Sequence, residues 1–73
     1  MTSPTTEQQV AIHDEVATLI AEAMRSRTVL AASAHAARLA ESYRLSGMSK
    51  GEICALIVRL AVPANVALEL ARP

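Results

Sequence analysis

One run limits what this chain can fold into more than any other: Gly47-Met48-Ser49-Lys50-Gly51-Glu52-Ile53-Cys54-Ala55-Leu56-Ile57-Val58-Arg59-Leu60-Ala61. Its opening residues announce a helix. Ser49 is placed to accept the backbone N–H of Glu52, and the Glu52 carboxylate to accept that of Ser49, which together make a capping box. Met48, just before the cap, pairs with Ile53 as a hydrophobic staple. Gly47 suits the left-handed turn that ends a preceding helix. Beyond the cap, Ile53 to Val62 carries a single charge, Arg59. A helix that is apolar on nearly all sides has to be surrounded, by its own fold or by a partner. The run is too short to span a bilayer, which takes about 20 apolar residues.

The remainder of the chain has little material with which to surround it. Its 73 residues allow one small domain with a marginal core. Hydrophobic residues make up 52% of the sequence, yet Tyr43 is the sole aromatic. The core therefore has to be built from Ala, Leu, Ile and Val, which pack closely but bury little area each. Cys54 is the single cysteine, so no intramolecular disulfide forms, and a lone thiol fits a reducing, cytoplasmic setting. No cationic stretch followed by an apolar core opens the chain, so no signal peptide is expected. The formal net charge is zero. Nucleic-acid binders draw much of their affinity from cationic excess, so neutrality argues against that class.

Read in order, residues 1–6 form a polar, flexible tail ahead of a single helical domain over residues 7–73. Ser3 before Pro4, or Thr5 and Thr6, can cap the first helix. Residues 7–25 make an amphipathic helix whose inner face is Ile12, Val16, Leu19, Ile20, Ala23 and Met24. The stripe changes phase at Ser26–Thr28, where a break is expected and Thr28 is placed to cap the second helix. Residues 29–45 form that Ala-rich helix, with Val29, Ala32, Ala36, Leu39, Ala40 and Tyr43 inward. The third helix runs over residues 50–61. Pro63 stops it and suits the first turn of a last short helix, residues 64–71, whose apolar contacts are Val66, Leu68 and Leu70. The expected fold is all-α: a small four-helix bundle with a flexible N-terminal tail.

No constellation of residues names a reaction. His13, Asp14, Glu15 and His35 lack the close tetrahedral donor set of a structural zinc site, and His13 and Asp14 diverge on a helix. Cys54 lies among Ile53, Leu56, Ile57 and Val58, surroundings that suit a structural thiol better than a nucleophile. There is no glycine-rich phosphate loop and no paired-carboxylate cleft. The expectation is a non-enzymatic chain with no catalytic residue, metal or cofactor, working by protein–protein contact. Its candidate partner-binding residues are Met48, Ile53, Leu56, Ile57, Val58, Leu60, Val62 and Val66. The partner is another protein or a second copy of the chain. Which of these residues are core and which are interface stays open at this level.

Two resemblances sharpen the expectation. Gly47-Met48-Ser49-Lys50-Gly51-Glu52-Ile53-Cys54 resembles the start of the helix-turn-helix domain in LuxR-type regulators, and Leu60–Val66 looks like the turn into a recognition helix. Three extra residues lie between Glu52 and Leu60. The would-be recognition helix holds Asn65 and Glu69 but no Arg, Lys or Gln to read base edges. A small excisionase-like DNA binder, with Arg38, Arg44, Lys50 and Arg59 on phosphates, is therefore the alternative. The short helical chain with its Gly47–Leu70 ending is also similar to the small antiactivators of rhizobial mobile symbiosis islands. That similarity implies sequestration of a LuxR-type activator, with quorum sensing and conjugative transfer held off. On that basis Met48, Ile53, Leu56, Ile57, Leu60 and Val66 meet either the core or the activator.

Overall fold

A computed structural model describes residues 3–69. Helix α1 spans Pro4–Ser26. It starts where Ser3 adopts extended backbone and its hydroxyl accepts the N–H of Thr6, with Pro4 in the first turn, where its missing N–H costs nothing. The helix thus begins earlier than the expected Glu7, and Pro4–Thr6 form its first turn instead of a tail. Met1 and Thr2 lie outside the described residues. Ile12, Val16, Ile20 and Ala23 are buried, in agreement with their spacing.

The expected break arrives at Arg27 by a route with no glycine in it. Arg27 takes the left-handed conformation at φ 55, and Thr28 N–H reaches back to the Ala23 carbonyl at 3.1 Å. That five-residue reach is the signature of a Schellman closure. The chain leaves it extended, as β1 (Leu30–Ala31), before α2 begins at Ala32 and runs to Ser42. Thr28 does not cap α2. Its N-cap is Ala31, which has no side chain to do so. Ala32, Ala36 and Leu39 face the core, with Ala40 and Tyr43 packed against it. Val29, expected inward, is 59% exposed. Side chains alternate along extended backbone, so burying Leu30 turns Val29 outward.

A 3₁₀ turn, Arg44–Ser46, and left-handed Gly47 at φ 74 connect α2 to α3 (Lys50–Ala61). Two side chains of α1 hold this turn. Gln9 Nε2 donates to the Ser46 carbonyl at 2.8 Å, and Leu45 N–H donates to Gln8 Oε1 at 3.0 Å. The expected capping box forms: Glu52 N–H donates to Ser49 Oγ and Ser49 N–H to Glu52 Oε1, both at 3.1 Å.

The end of α3 overturns the four-helix bundle. Val62 keeps helical backbone (φ −58, ψ −53) in spite of Pro63. Asn65 then turns left-handed at φ 58, and Val66 N–H bonds to the Ala61 carbonyl at 3.1 Å. This is the closure seen at the end of α1, made again without glycine. It sends the chain out extended as β2 (Leu68–Glu69). The residues from Ala64 to Glu69 are therefore turn and strand, not a fourth helix. Leu70 and Ala71 lie outside the described residues. β2 pairs in parallel with β1, Leu30 against Leu68 and Ala31 against Glu69. Parallel strands need a long crossover, and here α2 and α3 supply it. Over the described residues the fold is three helices closed by a two-stranded parallel clip, a mostly helical α+β arrangement in place of the expected all-α bundle. The buried alanines that accept both closing bonds, Ala23 and Ala61, belong to one core with Ile12, Leu39, Ile53 and Ile57.

Candidate docking surface

Helix α3 carries two apolar faces. Ile53, Leu56, Ile57 and Ala61 lie inward and are buried. Cys54, Val58 and Val62 follow one another at four-residue spacing and so stack along a second line. Along it exposure rises: Cys54 and Val58 are half-buried and Val62 is 62% exposed. Gly51 and Ala55 lie on the same side and are exposed. A Cβ on Gly51 would meet nothing closer than Ser49 Oγ at 3.8 Å. Small residues beside an aliphatic line let another helix come close.

This geometry divides the expected partner-binding residues. Ile53, Leu56, Ile57 and Val66 are taken up by the core. Met48 is half-buried against that core, in the place a staple requires. Leu60 stands over the inner face at its rim, 36% exposed. Val58 and Val62 are the members of the set that lie on the outer line. The periodicity could not make this division, because both faces of the helix are apolar.

A second apolar opening has no counterpart in the sequence pattern. A groove of about 310 Å³ runs between the last turn of α1 and the segment after Pro63, lined by Met24, Val29, Ala64 and Val66 among others. The helical periodicity places Met24 and Val29 inward, yet both are more than half exposed. The left-handed closure at Arg27 takes Val29 off the helical path; Met24 still lies within α1, whose last buried position is Ala23.

The polar groups form a clamp between α1 and the end of α2. Tyr43 Oη donates to Glu15 Oε2, and Arg38 Nη1 stands 3.6 Å from Glu15 Oε1. The hydrogen bond to Glu15 is the main reason the Tyr43 phenol titrates above its ordinary range. Desolvation and the Glu15 charge add to this, and Arg38 opposes it. Of the cations assigned to phosphates in the DNA-binding alternative, Arg38 pairs with Glu15 and Arg44 with Glu41. The recognition helix of that alternative is not formed over Ala64–Glu69. Among the described residues no group of three or more His, Cys, Asp or Glu side chains is placed to hold a metal ion. Nor is any helix among them long and apolar enough to cross a membrane. Compared with known protein families, curated proteins and solved structures, the chain matches none significantly.

Proposed function

We propose that this chain is a small regulatory protein that docks onto another protein through the outer line of α3. The observation that carries the reading is that line itself: a helix already seated by one apolar face carries half-buried Val58 and exposed Val62 on a second. An aliphatic strip flanked by Gly51 and Ala55 fits helix-to-helix packing, in which a partner helix lays its own apolar side into the strip. The sequence resemblance to rhizobial antiactivators names the partner class, a LuxR-type transcriptional activator. Sequestering it would repress quorum sensing and conjugative transfer. The free thiol of Cys54 suits a reducing cytoplasm as the place of action.

The test pairs a transcription reporter driven by a LuxR-type activator of the same cell with direct capture of that activator by the purified chain. The wild-type chain is expected to silence the reporter and retain the activator. Val58→Asp and Val62→Asp are expected to lose both effects, Val62→Asp while keeping the wild-type melting curve. Full silencing by both variants would remove the outer line from the proposal. Salt-sensitive retardation of DNA by the chain alone would favour the DNA-binding alternative.

A further inference from the structure

The segment after Pro63 is held differently from the rest of the fold. It enters through left-handed Asn65 and meets β1 over two residue pairs, Leu30 with Leu68 and Ala31 with Glu69. The Leu30 N–H donates to the Ala67 carbonyl at 2.9 Å. A two-stranded pairing this short has little stability of its own. Its apolar anchors are Val66, buried, and Leu68, half-buried. Helix α3, by contrast, is anchored by Ile53, Leu56, Ile57 and Ala61. On the α1 side a groove of about 310 Å³, lined by Met24, Val29, Ala64 and Val66 among others, opens beside the segment.

We infer that residues 66–69 form a strap that lifts off β1 while the three helices stay folded, bringing Leu30 and the seat of Val66 to the surface. The hinge is the closure at Asn65. Lifting the strap releases the Val66 N–H from the Ala61 carbonyl and the pairing with β1, including the Leu30 N–H to Ala67 carbonyl bond, and breaks no bond inside α3. Elements with few buried contacts open on their own, below the cost of global unfolding. Opening joins the Leu30 seat to the groove beside Met24 and Val29, so the chain holds a second apolar surface that is closed at rest. This is a property of the isolated chain and does not depend on the identity of any partner.

Native-state hydrogen exchange on the full chain tests it. The reporters are the amide of Leu30, which bonds to the strap, and that of Ile57, in the middle of α3. Leu30 is expected to exchange at least about tenfold faster than Ile57, with little dependence on low denaturant, because a local opening exposes little surface. A second arm locks the strap with Ala31→Cys and Glu69→Cys in a Cys54→Ser background. The two positions pair directly, within reach of a disulfide. Oxidation is expected to slow Leu30 to the rate of Ile57, and reduction to restore the difference. A single shared rate and denaturant slope for Leu30 and Ile57 in the wild-type chain overturns the inference. So does a Leu30 rate that oxidation leaves unchanged. If the locked variant fails to fold, the wild-type comparison decides alone.

Discussion

The inner and outer faces of α3 are made of the same kind of residue and differ in what covers them. Ile53 and Ile57 are fully buried, whereas Val58 and Val62, one and five residues after Ile57, lie on the outer line. Hydrophobicity does not separate them. What separates them is which side of the helix α1 and α2 happen to cover. Apolar character alone therefore does not show that a residue is buried. Which apolar residues the chain covers is decided by how its helices pack.

The largest expected effect lies on the inner face. Ile57→Ala should lower the unfolding free energy by about 2–5 kcal/mol, because the small core cannot collapse around the missing atoms. Urea denaturation measures it, and a midpoint equal to the wild type's would erase the distinction between the faces. The start of the same helix comes next. Ser49→Ala should cost about 1 kcal/mol by removing the acceptor for Glu52 N–H, again read from the denaturation midpoint. Arg27→Gly should go the other way, a gain of up to about 1 kcal/mol, since glycine occupies left-handed backbone without a Cβ penalty. A loss there would mean that the Arg27 side chain matters more than its backbone. Val62→Asp is expected to move stability by no more than about 0.5 kcal/mol, and a collapse of the fold in this variant would transfer Val62 to the inner set.

The clamp that seats α1 against α2 has its own readout. With a single tyrosine in the sequence, tyrosinate absorbance reports Tyr43 alone. Its midpoint should lie above the ordinary value of 10.0, and Glu15→Gln should bring it back toward that value. The sign follows from the bond: the folded state holds the phenolic proton more tightly than the unfolded chain does. The stabilisation is therefore complete below the unfolded value and is lost as pH rises through the folded one. An unshifted midpoint in the wild-type chain would show that the Tyr43–Glu15 bond does not persist in solution.

Much of the architecture was legible because it rests on local rules. Ser49 and Glu52 are close in sequence and cap one helix, Gly47 is one of two glycines and supplies the left-handed turn before it, and Ile12, Val16 and Ile20 repeat at helical spacing. The strands were not legible. Leu30–Ala31 and Leu68–Glu69 are each too short to show alternation, and each becomes a strand only because the other lies beside it. Pro63 invited a helix by its position, but the outcome was decided at Asn65, where the turn that closes α3 outcompetes the start of another. The roles of Gln8 and Gln9 were equally hidden. Both look like solvent-facing helix residues until the 3₁₀ turn is folded against them.

The sequence by itself determined where the third helix begins, that three breaks interrupt the helical path, and that the third helix is apolar on more than one side. These follow from side-chain chemistry acting over a few residues. Only the tertiary structure decided how the breaks are made, which face of α3 is enclosed, and that the exits from α1 and α3 meet as a parallel clip. Each of those outcomes depends on contacts between residues far apart in the chain. The left-handed residues that allow them, Arg27 and Asn65, stand where no local preference for glycine marks the turn.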